Sequence, residues 1–442
     1  MNKIVTRFAP SPTGFLHMGN YRTAVFAYLY AKKNAGEFIV RIEDTDRGRS
    51  KKEYEDNILE SLNWLGLKCD TFYRQSENLS RHTFFLNKLI EEGNAYVSEE
   101  LAKDGSGVMR SLVRFKNPKK KVSFLDAIYG EIVTDTTDLG DFVIAKSITE
   151  PLFHLAVVVD DFEEGVTHVL RGEDHIPNTP RQMLIQEALG FPHPKYVHFP
   201  LVLSEDRTKL SKRKGAKPIT WYRDEGYLGE ALLNFMCLIG WNPGGEKEIF
   251  TLSQLVELFD FSHVNKAGAI CNEEKLEWIN KEHIKLQSAE NQIEKITKYL
   301  PDYNNVLIVR MRELIIERIT NYGQIKAVEQ DEFIFFKDRP VYEVEKLLWK
   351  DTEINKLEIH LGVIKELLDH IPTWDKEIIK EIIFPYAEAQ GKGEVLWPLR
   401  VSLSGRQKSA DPFTLLAILG KEESVERISI ALALLNNMEV QN

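Results

Sequence analysis

The chain has 442 residues, 43% of them hydrophobic, 28% charged and 10% aromatic, a profile that excludes intrinsic disorder and predicts a globular protein of about two to four domains. With 57 basic residues against 67 acidic ones, the formal net charge of -10 excludes a basic coat for indiscriminate nucleic-acid binding but leaves room for local basic patches. The isolated cysteines Cys69, Cys237 and Cys271 exclude a disulfide framework and a four-cysteine zinc site.

In chain order, Ile4–Phe8 is a short β-rich run, and Pro10-Ser11-Pro12-Thr13-Gly14 makes a turn after it. A helix is predicted from about Met18 to Asn34, ended by Gly36. Phe38–Ile42 is the next strand. Lys51–Leu65 is the next helix, with Ile58, Leu62 and Leu65 on one face and Gly66 behind it. Strand, helix, strand, helix is the pattern of a parallel doubly wound sheet. Residues 77–150 break the alternation, and Glu99–Arg114, with Gly105, Ser106 and Gly107, reads as a flexible loop within an inserted subdomain. The α/β pattern resumes at Phe153–Val159 and Val166–Leu170. A helix follows from about Thr179 to Leu189, with Asn178 as N-cap, Pro180 in the first turn and Gly190 after the end. Val197–Leu203 closes this part. From about residue 225 the period is helical, as in Leu307, Met311, Leu314, Ile315, Ile319, Tyr322, then Leu361, Ile364, Leu368, Ile371, and finally Val425, Ile428, Leu432, Leu435. The N-terminus, MNKIVTRFAPSP, reaches a Pro-rich turn before any apolar run suited to a signal peptide. The longest uncharged apolar stretches, Ala231–Trp241 and Ile428–Leu435, fall short of the roughly 20 residues of a spanning helix. The expectation is a cytoplasmic protein without a membrane partner.

Two segments carry chemistry. The first, Arg7 to Asn20, sets a Pro/Gly turn after the first strand and His17-Met18-Gly19-Asn20 at the start of the first helix. There an α/β sheet binds anions, because free helix N–H groups and the dipole point outward. Gly19 leaves room for a nucleotide against the backbone, and His17 and Asn20, three apart, share a helix face. The second is Lys209-Leu210-Ser211-Lys212-Arg213-Lys214-Gly215, in a stretch from Arg207 to Lys217 with six basic residues and no acidic one. Lysines three apart beside a serine suit a triphosphate and its departing pyrophosphate. Taken singly, each has an ordinary explanation, a helix cap and a solvated basic loop.

Together, H-x-G-N opening a helix and K-L-S-K-R about 190 residues later resemble the paired HIGH and KMSKS signatures of class I aminoacyl-tRNA synthetases. The words RFAPSPTGFLHMGN, VRIEDTDR, VVVDD, THVLRGEDH, TPRQ, KLSKRKG and LNFMCLIGW resemble the bacterial glutamyl-tRNA synthetase family. The likeness runs in order from residue 3 to about 285, and more loosely to PLRVSLSG near the end. It implies a multidomain α/β protein. A Rossmann-type catalytic domain at 1–76 and 151–203 is interrupted by an acceptor-binding insertion at 77–150. A stem-contact junction at 204–288 carries the KLSKR loop, and an all-α anticodon-binding region spans 289–442.

The implied activity is ATP-dependent glutamylation of tRNA(Glu) with magnesium, by way of glutamyl-adenylate. The implied partners are L-glutamate and tRNA(Glu), with tRNA(Gln) a further candidate, and the implied state is monomeric. By resemblance, His17, Asn20, Lys209 and Lys212 are catalytic, and ATP is held by these together with Pro10, Gly14, Gly19, Asp174, Leu210, Ser211 and Arg213. The pocket for glutamate is carried over to Arg7 and Arg171 for the side-chain carboxylate and to Glu43 and Ser11 for the ammonium, with Ala9, Phe153 and Val157 as walls. Asp46, Arg47 and Arg400 fall at tRNA-contacting positions. The sequence departs from the family at Asn20, often His, and at Phe153, usually Tyr, which removes a hydroxyl donor. A third departure is Tyr96-Val97-Ser98-Glu99, where some relatives hold zinc through cysteines, so no zinc is expected. In the family, strict tRNA discrimination is tied to an arginine before Trp374. This chain has none between residues 340 and 399, which points to relaxed specificity. The alternative to an enzyme is a catalytically inactive tRNA-binding paralogue, against which His17, Gly19, Glu43, Lys209 and Lys212 speak.

Overall fold

The structure, a computed structural model, describes residues 3–101, 108–210, 215–350 and 352–439. Two compact units, Met1–His283 and Ile284–Asn442, make up the chain.

In the first unit, the elements are β1 (Val5–Phe8), α1 (Met18–Lys33), β2 (Glu37–Ile42), α2 (Lys52–Trp64), β3 (Thr71–Arg74), α3 (Leu79–Glu91), β4 (Ala95–Leu101), β5 (Met109–Phe115), β6 (Lys121–Asp126), β7 (Gly130–Asp135), β8 (Phe142–Ser147), β9 (Glu150–Pro151), α4 (Phe153–Glu163), β10 (His168–Gly172), α5 (Thr179–Leu189) and β11 (Lys195–Phe199). A seven-stranded sheet runs in the order β3-β2-β1-β10-β11-β6-β7. Its first six strands are parallel, only β7 running antiparallel, and their order reverses between β1 and β10, the position where such sheets open a ligand crevice. Helix α1 is buried through Ala24, Val25, Phe26, Ala27 and Leu29, and a second core joins α3, α4 and α5 through Leu86, Leu155, Val158 and Ile185.

The structure corrects the sequence reading at several points. The residue with left-handed backbone after α1 is Ala35, at φ 49°, not Gly36. Glycine is needed at 36 because a Cβ there would lie 2.3 Å from the Ile4 carbonyl oxygen. Glu99–Leu101 and Met109–Arg114 are not loop but paired strand, with Glu99 opposite Ser111; Gly105, Ser106 and Gly107 lie outside the described residues. Within 77–150, β4, β5, β8 and β9 form a separate four-stranded sheet. The β6–β7 hairpin instead joins the main sheet, because alternate burial turns Val122, Phe124 and Asp126 inward. Asn178 is the N-cap residue of α5 as expected, but its side chain makes no capping bond, because a 3₁₀ turn over Glu173–Asn178 leads into that helix directly.

After β12 (Val202–Leu203), the first unit is completed by α6 (Ile219–Asp224), α7 (Gly229–Leu238), α8 (Leu252–Leu258), β13 (Ala269–Ile270), parallel to β12, and α9 (Glu273–Leu286), which runs past the boundary. The second unit is helical, including Asn305–Arg318, Ile354–Asp369, Lys392–Ser404 and Lys421–Glu439. Its buried Ile308, Met311 and Ile315, then Leu357, Leu361, Ile364 and Leu368, follow the helical period. Side-chain caps from Asn304 and Asp411 set helix starts. No helix among the described residues is long and apolar enough to cross a membrane.

Candidate active site

A cavity of about 460 Å³ opens at the carboxyl ends of β1 and β10. Among its walls are Arg7, Ala9, Pro10, Ser11, His17, Gly19, Asn20, Glu43, Phe153, Val157, Arg171, Asp174, Lys209 and Leu210. The structure thus brings most of the expected nucleotide and amino-acid residues to one place. Gly14 does not line the cavity. Ser211, Lys212 and Arg213 lie outside the described residues. Asp46 pairs with Arg49 on the surface at 2.7 Å, Arg47 is exposed, and Arg400 belongs to the helical unit.

The start of α1 is a reciprocal cap. His17 Nδ1 accepts the Gly19 N–H at 3.2 Å, while Asn20 Oδ1 accepts the His17 N–H at 3.2 Å. With Nδ1 accepting, the neutral ring carries its proton on Nε2, a donor suited to phosphate oxygen. Glycine at 19 leaves room for the His17 ring, since a Cβ there would meet His17 Cε1 at 3.1 Å. The lysine segment arrives on a hairpin closed by Leu210 N–H to Val202 O at 2.9 Å. Lys209 Nζ sits 2.7 Å from Asp174 Oδ2. The chain returns at Pro218, bridged to His17. The described residues on either side, Leu210 and Pro218, are therefore tied to Val202 and His17, both of which line the cavity.

Charge is organised around three buried arginines that are easily distinguished. Arg41 is fully buried among carboxylates, with Nη1 2.7 Å from Glu164, Nη2 2.8 Å from Asp161 and 3.5 Å from Glu43, and Nε 3.9 Å from Asp160. Arg7 turns its fork to Asp161, with Nε to Oδ1 at 3.0 Å and Nη2 to Oδ2 at 3.3 Å, and its Nη1 makes one long contact to Leu170 O at 3.4 Å. Arg171 meets only neutral acceptors: Nε donates to His198 Nε2 at 3.1 Å, Nη1 to Gln182 Oε1 at 2.8 Å and Nη2 to Thr179 Oγ1 at 2.7 Å. Burial first, then the nearby Arg7, pushes the Arg171 guanidinium down to about 10. It is a desolvated cation with no ion pair among the described residues, and a bound carboxylate offsets that cost. Burial likewise drives the Glu43 carboxyl up to about 7 against the pull of Arg41 and Arg7. One cavity therefore holds an unneutralised cation and a separate carboxyl, the complement of an acidic amino acid.

Several of these groups went unrecognised from sequence. Asp161 lies one helical turn beyond Val157 and two beyond Phe153 on α4, so a single face presents two pocket walls and the Arg7 anchor. The available signal was adjacent acids, Asp160-Asp161, ending an apolar run. Arg22 is buried, lines the cavity and donates from Nη1 to Ile239 O at 3.0 Å and from Nη2 to Pro200 O. It ties the exit of β11 to the end of α7. Glu173 Oε1 accepts the neighbouring Leu201 N–H at 2.9 Å.

Comparison with known proteins agrees with this geometry. Residues 3–106 and 98–278 match the family model of class I tRNA synthetases (E and Q), catalytic domain, and residues 274–432 match an anticodon binding domain. The glutamate–tRNA ligase of Aquifex aeolicus is 41% identical, covering 97% of this chain and 98% of that one. That of Carboxydothermus hydrogenoformans is 39% identical over 96% and 98%. A crystal structure of a glutamate tRNA ligase from Elizabethkingia meningosepticum in complex with its amino acid superposes with a TM-score of 0.86 at 30% identity, covering 98% of this chain and 99% of that one.

Proposed function

The chain belongs to the glutamyl-tRNA synthetase family of class I synthetases, and on that premise we propose how its residues divide the work. The reaction joins glutamate to tRNA at the expense of ATP. The glutamate α-carboxylate attacks the α-phosphorus, the bond to pyrophosphate breaks, and a terminal ribose hydroxyl of the tRNA then takes the acyl group and releases AMP. There is little covalent work for side chains; they position the reactants and stabilise charge.

The observation that carries this reading is Arg171, a buried guanidinium facing the cavity without a counter-ion among the described residues. It receives the glutamate side-chain carboxylate, with Arg7 as a wall braced by Asp161. Glu43 and Ser11 receive the ammonium. Phe153 and Val157 close the apolar side. His17 Nε2, at the positive end of the α1 dipole, takes the triphosphate, and Lys212 supports the departing pyrophosphate. Lys209 exchanges Asp174 for a phosphate oxygen. Magnesium enters with ATP as part of that substrate, and no zinc takes part. The protein acts as a cytoplasmic monomer. Asp46, Arg47 and Arg400 contact tRNA.

Ammonium recognition requires the Glu43 anion. Burial raises its pKa to about 7, so falling pH protonates it and removes the counter-charge. kcat/KM for glutamate is expected to be about tenfold lower near pH 6 than on its plateau above about pH 8. A flat profile across that range contradicts the assignment.

Relaxed tRNA choice follows from the segment before Trp374. There Glu366–Thr373 ends a helix, with His370 Nδ1 2.8 Å from Glu366 O, and the segment itself holds no arginine whose fork could read a base edge. Labelled glutamate offered with purified tRNA(Glu) and tRNA(Gln) side by side is expected to charge both. Failure to charge tRNA(Glu) overturns the function itself; rejection of tRNA(Gln) by several orders of magnitude overturns only the relaxed choice.

A further inference from the structure

Arg171 forms no ion pair among the described residues: His198 on β11 and Gln182 and Thr179 on α5 hold it, and Asp126 at the end of β6 stands behind His198. Strand β6 lies beside β11 with Asp126 opposite Tyr196. The Asp126 carboxylate is buried and used throughout: Oδ1 accepts the N–H groups of Ile128 at 2.9 Å and Tyr129 at 3.0 Å, and Oδ2 accepts the His198 N–H at 3.0 Å and the His198 ring at Nδ1 at 2.7 Å. A carboxylate accepts here, so His198 Nδ1 carries the proton and Nε2 presents a lone pair. That lone pair receives Arg171 Nε–H at 3.1 Å, and the Thr179 hydroxyl, which accepts Arg171 Nη2–H, lies 3.1 Å from the same nitrogen. In the opposite tautomer an Nε2–H would confront the guanidinium N–H. Burial and the neighbouring Arg171 also keep the imidazole below its ordinary pKa, so the imidazolium is disfavoured too.

We propose that Asp126 and His198 are positioning residues for substrate recognition: Asp126 fixes the His198 tautomer, and His198 aligns the Arg171 fork for the incoming carboxylate. A carboxylate touching Arg171 directly would align it equally well but would cancel the charge that the substrate needs. The imidazole passes on orientation and leaves the cation unpaired. The logic rests on the reading that Arg171 takes the glutamate side-chain carboxylate.

The test is a mutant cycle on the full chain, read by steady-state charging with glutamate, ATP and tRNA. Asp126→Asn preserves shape but offers an amide N–H to His198 Nδ1, which drives the ring to the wrong tautomer. KM for glutamate is expected to rise about ten- to hundredfold, while KM for ATP stays within about twofold. His198→Gln keeps an acceptor and removes the tautomer choice. In that background Asp126→Asn is expected to add less than about twofold to KM, because the fault it introduces has no ring to act on. An unchanged glutamate KM in Asp126→Asn, or penalties that multiply in the double variant, overturns the proposal. If Asp126→Asn does not fold, His198→Gln against His198→Phe decides it: the phenylalanine variant, without an acceptor, should have a glutamate KM about tenfold or more above the glutamine variant. Equal values overturn it. Arg171→Ala separates the two levels. A silent Arg171→Ala overturns the pocket assignment, whereas an active Arg171 dependence with a silent Asp126→Asn overturns this inference alone.

Discussion

Arg171→Ala is expected to lower kcat/KM for glutamate by about three orders of magnitude or more, with the affinity for ATP nearly intact. Each charge-assisted hydrogen bond to a carboxylate contributes about 1.5–3 kcal/mol, and removal also leaves the substrate carboxylate desolvated without a partner. The loss falls on one substrate because Arg171 contacts His198, Gln182 and Thr179 and forms no ion pair among the described residues. Folding is expected to suffer far less, since the burial cost of an unpaired guanidinium disappears with it. Arg171→Lys does not rescue, because an ammonium cannot present the planar fork that three fixed acceptors align. ATP–pyrophosphate exchange with tRNA present, at varied glutamate, measures this. Normal activation in the alanine variant means the carboxylate binds elsewhere.

Arg41→Ala is expected to act in the opposite way, through stability. Its side chain is fully buried and shared by Glu43, Asp160, Asp161 and Glu164. Removing one partner of a buried pair costs about 3–5 kcal/mol, because the carboxylates left behind are desolvated and repel one another. For a unit of this size the melting temperature should fall by on the order of 10 °C. The sign of the pH effect follows from burial, which raises the carboxyls of Glu43 and Glu164 to about 7 even with Arg41 present. Without it they bind protons still more readily, and a protonated carboxyl is cheaper to bury. The deficit relative to the parent chain should therefore shrink as pH falls from 8 toward 5. Asp160 moderates the loss through His82, Gln75 and Asn78, at 2.6, 2.8 and 2.8 Å. A melting temperature within about 2 °C of the parent at pH 8 contradicts the account.

The contrast between these arginines shows where the sequence was legible. His17, Gly19 and Asn20 lie within four residues, and their interaction is a local helix cap, so spacing alone brought them together. The strands β1, β2 and β10 and the helices that follow β1 and β2 were equally local, fixed by apolar runs and turn residues. What was missed is paired across long stretches of chain. Arg41 meets Asp161 across 120 residues and Arg7 meets it across 154. No period or motif in one sequence encodes such a contact. Asp126 was hidden for a different reason: it sits in a range read as insertion, while its strand adds to the main sheet. Val157–Val159 carry strand propensity but are helical because burial on α4 outweighs it. Arg7 was placed correctly at the cavity, yet its fork turned out to be committed to Asp161. Both expected arginines therefore line the cavity, Arg7 paired with Asp161 and Arg171 without an ion pair among the described residues.

Amino-acid selectivity of the parent chain tests the central claim most directly. Glutamine matches glutamate in size and differs by one charge, so a pocket built on an unneutralised Arg171 must reject it. In ATP–pyrophosphate exchange with tRNA present, glutamate is expected to exceed glutamine by about 10³-fold or more in kcat/KM. Comparable rates for the two amino acids would contradict a cavity that reads the carboxylate by charge.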